Sequence, residues 1–224
     1  MNGVERDVMF VALTRPQMFA GVTYSFFIIN AAVTTEVFLI SKSFLALPVA
    51  LAIHAALNDW RNDPQVDLVI IDAVGDKAFC AGGDIAAVYH AGRAGDHAVG
   101  AQFFFDEYRM NAAIADYPKP IVAFMQGFVM GGGVGVGGHA SHRIVGDTTQ
   151  IAMPESGIGL IPDVGGSWLL AQAPGRVGEY LALTSARMGA GDALYAGFAD
   201  YYLPEAEWPA LIDHLADSGE ISTV

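Results

Sequence analysis

A single cysteine, Cys80, excludes an intramolecular disulfide and fits a reducing compartment. Basic residues are scarce as well: eleven Lys and Arg stand against twenty-four Asp and Glu, for a net charge of -13. Such a field repels nucleic acid and anionic membrane, and it excludes both as expected partners. An anionic ligand must then be held by local cations or by exposed backbone amides. The opening MNGVERD has neither the basic start of a secretory signal nor an Arg/Ser-rich transit face, so a cytoplasmic location is expected. Low-complexity tracts and tandem repeats are absent too.

What is present is apolar sequence in quantity. Hydrophobic residues make up 53% of 224, enough for a sizeable core, and a single domain over 1–224 is expected. From Asp67 onward, patterns of period two and period 3.6 take turns. DLVIIDAV (67–74) and PIVAFMQG (120–127) read as buried strands, the second set off by YPKP. Between them, residues 98–117 have helical spacing that places Phe103, Met110 and Ile114 on one face. HRIVGD and QIAMPE predict two short strands; GRVGEYLALT, GDALYAG and EAEWPALIDHLAD predict helices. The alternation argues for an α/β layered fold.

The first quarter departs from this pattern. VMFVALTRP (8–16) predicts a strand ended by proline, and residues 47–63 predict a helix closing near Pro64. Between them, residues 21–40 are nearly continuous apolar sequence with one charge, Glu36. That is the length of a membrane span, but β-branched residues, Asn30 and Glu36 count against insertion, and no membrane association is expected.

Two glycine-rich stretches carry the chemistry. MGGGVGVGG (130–138) lacks the Lys-Ser/Thr of a P-loop and the spacing of a dinucleotide fingerprint. KAFCAGGDI (77–85) follows a strand, with Asp84 placed to cap the helix that starts IAAVYH. Two such loops after two strands can aim two amides at one point, the geometry of an oxyanion hole; close helix-to-strand packing is the bland alternative for the longer run. Glu107 shares the apolar face of Phe103, Met110 and Ile114, so its carboxylate must be paired, raised in pKa or turned to a cavity, unless it reaches water at the edge of the stripe. In PESGIGLIPD (154–163), Glu155 and Asp163 flank uncharged, largely apolar sequence. Cys80 reads as a small buried residue. His139 and His142 lack ligand-spaced partners, so no metal is expected, and Asp59, Asp63 and Asp67 read as solvated turn acids.

KAFCAGGDI, YPKPIVAFMQGFVMGGGVG and AMPESGIGLIPDVGG, in this order, resemble the crotonase (enoyl-CoA hydratase/isomerase) superfamily, most clearly over 48–204. The resemblance implies a crotonase-like spiral of β-β-α units, assembled as trimers or hexamers, that binds an acyl-CoA thioester. Coenzyme A is then part of the substrate and no separate cofactor is needed. It implies an oxyanion hole from the amides of Gly83 and Gly132, with Gly82, Asp84, Gly131 and Glu107 lining the substrate. Hydratases carry a second glutamate two residues beyond the triple glycine, where this chain has Gly135. Glu107, Glu155 and Asp163 are instead similar to the 3-hydroxyisobutyryl-CoA hydrolase branch, which implies hydrolysis of a short hydroxyacyl thioester in valine breakdown, with Glu155 as nucleophile or general base and Asp163 orienting substrate. An enoyl-CoA hydratase/isomerase and a non-catalytic acyl-CoA-binding homologue are the alternative expectations. Residues 17–47 depart from the family pattern, and the C-terminal helical part is shorter than in that branch, which predicts exposed apolar surface. Lys77 and Lys119 are the cations nearest the motifs, as phosphate ligands or as plain surface residues.

Overall fold

The computed structural model describes residues 46–224. The strand expected over 8–16, the apolar run 21–40 and nearly all of the atypical segment 17–47 lie outside them. Among the described residues no helix is long and apolar enough to cross a membrane.

Helix α1 (Ala46–Trp60) leads through Pro64 into strand β1 (Val69–Ile71). Then follow β2 (Ala78–Cys80), α2 (Ile85–Arg93), α3 (His97–Ala115), β3 (Ile121–Met125), β4 (Phe128–Met130) and α4 (Gly132–Gly137). After β5 (His142–Val145) and β6 (Gln150–Ala152), a 3₁₀ turn (Glu155–Ile158) precedes α5 (Gly166–Gln172), α6 (Val177–Thr184), α7 (Ala190–Ala196), β7 (Tyr201–Tyr202) and α8 (Trp208–Ser218). The strands are dealt alternately to two parallel sheets, ordered β1-β3-β5-β7 and β2-β4-β6. Each of the first three turns of the chain thus adds one strand to each sheet before its helices, and the fourth adds β7 to the first sheet alone, which is the expected spiral of β-β-α units. The register is Val69 on Ile121 and Val122 on His142 in the first sheet, and Phe128 on Gln150 in the second.

Both faces of the first sheet are covered, which is why its strands read as unbroken apolar runs. Val69, Ile71, Ile121, Ala123 and Met125 face the main core with Phe79 and Met153. Leu68, Ile70, Val122 and Phe124 face the other way, onto Trp208 and Leu215 of α8. Trp208 donates its indole N–H to Leu203 at 2.9 Å, so this buried aromatic leaves no orphan donor. Lys119 is committed to structure rather than to an anion: its ammonium donates to the carbonyls of Trp60 and Asp63, both at 2.6 Å, closing the end of α1. Lys77 is exposed. Apolar side chains stand in solvent along the loop before α5 and on α5 to α7, with Ile161, Trp168, Leu183 and Tyr195 all more than half exposed.

The glycine run behaves differently from a loop. Residues 132–137 form α4 despite the backbone entropy that glycine loses in a helix, roughly 1 kcal/mol each relative to alanine. Contact compensates for propensity: side chains on Gly133, Gly135 or Gly137 would overlap the Cys80 carbonyl, the Asn111 amide, and Met125 with Phe79. Only small residues let α4 lie this close to its neighbours.

Candidate active site

Strands β2 and β4 each end where a glycine turn begins, and these two turns meet. Beyond β2, Gly82 takes φ +98°; a Cβ on it would sit 3.3 Å from the Met130 carbonyl and 3.4 Å from the Gly132 amide nitrogen. Beyond β4, Gly131 takes φ 51° and ψ -118°, a conformation closed to side chains, and turns the chain into α4. The amide nitrogen of Gly83 lies 3.6 Å from where a Cβ on Gly132 would stand. Among the described residues no backbone carbonyl accepts from either the Gly83 or the Gly132 amide. The two proposed oxyanion donors are therefore neighbours with free hydrogen-bonding capacity. The Phe103 ring packs where a side chain on Gly83 would go.

Three carboxylates converge on this point from three elements. Glu107, from the middle of α3, is 9% exposed and places Oε1 in the space that a Cβ on Gly132 would fill. Glu155, at the start of the 3₁₀ turn after β6, is 6% exposed, and its Oε1 lies 3.0 Å from the corresponding point on Gly131. Its Oε2 is buried with no hydrogen-bond partner. Asp163, half-buried on the loop before α5, accepts a 2.7 Å hydrogen bond from the Tyr108 hydroxyl. Burial, then the charges of Asp163 and Glu155, push Glu107 up to about 7; burial, with a smaller push from Asp163, brings Glu155 to about 7 as well. Acids this close titrate as a set, so near neutrality the site holds a mixture of carboxylate and carboxylic acid. That mixture is what general acid–base chemistry requires. Glu107 therefore lies inside the site with its pKa raised, and it does not reach open water.

Asp84 has a structural partner, as the sequence expects of a helix cap. It is buried, and its carboxylate accepts the Ala87 amide at 2.8 Å as the N-cap of α2. The cap holds the loop carrying Gly82 and Gly83. Burial pushes the Cys80 thiol up to about 11, which leaves it protonated and unreactive at neutral pH. His139 and His142 are held separately, one against the Val164 carbonyl and the other against Ser141 and the Tyr201 ring.

Two residues escape a reading of the sequence alone. Tyr108 is the partner of Asp163, and burial and that hydrogen bond raise its pKa. Asn111 is 5% exposed, and neither its Oδ1 nor its Nδ2 has a partner. Its amide lies 2.7–2.8 Å from where a Cβ on Gly135 would be, one turn along α3 from Glu107. The i, i+4 spacing from Glu107 is the signal that was available.

A raised carboxyl pKa carries a stability cost. Because the folded state holds the Glu107 proton more tightly than the unfolded chain, its contribution is fully present below the ordinary value of 4.5 and is lost as pH rises through about 7. That difference corresponds to about 3 kcal/mol. Glu107→Gln is expected to melt higher than the parent at pH 8 by several degrees, with little advantage at pH 5, in thermal scans at the two pH values.

The family model described as Enoyl-CoA hydratase/isomerase matches residues 43–223. A second, for the Type IV secretory pathway VirB3-like protein, matches residues 5–70, mostly outside the described part. The chain is 48% identical over 159 residues to the mitochondrial 3-hydroxyisobutyryl-CoA hydrolase of Xenopus tropicalis, covering 71% of this chain and 41% of that one. It is 44% identical over 163 residues to the small ribosomal subunit protein mS47 of Neurospora crassa, covering 72% and 32%. Among solved structures, an enoyl-CoA hydratase from Rhodobacter sphaeroides is 61% identical with a TM-score of 0.77, covering 79% of this chain and 52% of that one. The chain thus spans about half or less of the length of each of these relatives.

Proposed function

The chain belongs to the enoyl-CoA hydratase/isomerase family, and from that premise we propose that it hydrolyses the thioester of a short hydroxyacyl-CoA of the 3-hydroxyisobutyryl type, a step of valine catabolism. The observation that carries the reading is the trio Glu107, Glu155 and Asp163 around two unpartnered amides, combined with glycine at 135. Hydration of an enoyl-CoA by two glutamates needs an acid at that position. Here the Asn111 amide fills the space into which a side chain at 135 would project.

In this mechanism the Gly83 and Gly132 amides hold the thioester oxygen as negative charge develops on it. Glu155, with a pKa of about 7 and one free oxygen, takes a proton from water as the water oxygen bonds to the carbonyl carbon. Collapse of the tetrahedral intermediate breaks the C–S bond, and the proton passes from Glu155 to sulfur. The products are the hydroxy acid and free coenzyme A. Glu107 in its protonated form donates to substrate oxygen, and Asp163, held by Tyr108, orients the substrate hydroxyl.

Two observations favour other readings. The Rhodobacter sphaeroides relative is an enoyl-CoA hydratase, and the mS47 relative is a ribosomal protein. Thiol release from 3-hydroxyisobutyryl-CoA, followed beside hydration of crotonyl-CoA, separates them. Thiol release alone supports the hydrolase, hydration alone overturns it, and silence in both from a folded protein that binds the CoA ester favours the non-catalytic reading. Gly135→Glu is expected to bring no hydratase activity and to cost about 1–3 kcal/mol of stability by overpacking against Asn111, readable in denaturant titration.

A further inference from the structure

Asp163 is followed by two residues in the left-handed region, Val164 at φ 47° and Gly165 at φ 77°. Glycine adopts that conformation freely; a β-branched residue does so only when its surroundings impose it. Val164 is 2% exposed, so it is fixed from within the protein. Its carbonyl lies 2.7 Å from Nε2 of His139, two residues past the end of α4. A carbonyl only accepts, so Nε2 carries the hydrogen and the imidazole donates. The same ring occupies the space that a side chain on Gly165 would need. On the other side the turn is closed by the Gly166 amide donating to the Asp163 carbonyl at 2.6 Å, and by the Ser167 hydroxyl donating to the Pro162 carbonyl.

We infer that His139 is a positioning residue that locks Val164 in its left-handed conformation and thereby aims the Asp163 carboxylate at Tyr108 and the acids of the site. The inference rests on the hydrolase reading for its catalytic consequence. His139 acts through the backbone: rotation at Val164, the residue after Asp163, redirects the preceding Cα–Cβ bond and breaks the 2.7 Å contact between Asp163 and Tyr108. The arrangement ties the orienting acid to α4, whose other end supplies the Gly132 amide. One short helix thereby sets the relative position of the oxyanion donor and the orienting carboxylate.

The test uses the full chain and 3-hydroxyisobutyryl-CoA. His139→Leu is expected to lower kcat by about 100-fold, the scale of a small misplacement of a reacting group, with KM changed by less than about threefold. His139→Gln, which retains an N–H donor of similar reach, should recover most of the loss. The double variant His139→Leu with Asp163→Asn should be no slower than Asp163→Asn alone, since both changes remove the same aimed carboxylate. Losses that multiply, or a His139→Leu variant with parental kcat, overturn the inference. Should His139→Leu fail to fold, His139→Asn, polar but too short to reach the Val164 carbonyl, takes its place. If the parent chain releases no thiol, the hydrolase reading fails on its own, and a crystal structure of the variant decides: loss of the Asp163–Tyr108 hydrogen bond supports the positioning role, and its retention refutes it.

Discussion

Glu155→Gln is expected to lower thiol release from 3-hydroxyisobutyryl-CoA by about 10³-fold, within the 10²–10⁴ range typical of a positioned general base, while binding of the CoA ester stays close to parental. Glutamine keeps the shape of a side chain that is 6% exposed and touches the Gly131 turn, so the variant should fold. What it removes is a carboxylate able to take a proton. The buried Oε2, without a partner in the protein, is the atom to which the proton would be transferred. The parent's kcat/KM should fall at high pH as Glu107 loses the proton it donates, and should rise at low pH through a limb near 7, because the base must be ionised to act and burial holds both acids up to about 7. That limb belongs to the coupled acids as a set. In Glu155→Gln the residual rate should lose the limb. Stopped thiol assays across pH 5–9, set beside calorimetric binding of the CoA ester, measure both quantities. A variant with parental kcat removes Glu155 from the chemistry, and one that no longer binds the ester makes it a substrate contact instead.

The parts of this fold that were legible in the sequence are those whose burial leaves a period. Strands β1 and β3 are apolar on both faces because one face meets the main core and the other meets α8, and continuous runs record that. Helix α3 was legible from its stripe, and the anomaly within the stripe, Glu107, pointed correctly to a buried acid. Strands β2, β4 and β7 have three, three and two residues, too few for any period to register. For the glycine run the sequence left a ligand-facing loop and close helix-to-strand packing both open, because local propensity gives no hint that Asn111, Cys80 and Met125 would press against it; the tight packing is what the structure shows. The convergence of Glu107, Glu155 and Asp163 is a product of the spiral: the residues are 48 and 8 positions apart, and only stacking of successive β-β-α units brings their elements to one end of α4. Tyr108 and Val164 had no signature, since a phenol on an exposed helix face and a valine in an apolar loop are ordinary until their partners are known.

A methyl group on Gly132 is expected to be nearly as damaging as loss of the base, although it deletes no donor. In Gly132→Ala the amide N–H remains, but the added Cβ would overlap Oε1 of Glu107 and crowd the Gly82–Gly83 loop, which approaches to 3.4 Å. Something must move: either the Glu107 carboxyl swings away, or α4 shifts and draws the residue 132 amide off the line of the thioester oxygen. Removing one oxyanion donor typically costs about 10²–10³ in kcat, and misaligning it should cost a comparable amount. The two responses differ in stability. If Glu107 swings toward water its carboxylate is more readily solvated, so the variant should lose less stability at pH 8 than at pH 5; if α4 shifts, its tight contacts with Cys80 and Asn111 open and stability falls equally at both. Coupling the change with Glu107→Gly, which clears the space, distinguishes them again: folding recovers in either case, whereas kcat recovers only in so far as the amide and not the acid was the lost element. A Gly132→Ala protein with parental kcat would show that the amide facing the thioester oxygen lies elsewhere, and the assignment of the oxyanion hole to Gly83 and Gly132 would fall with it.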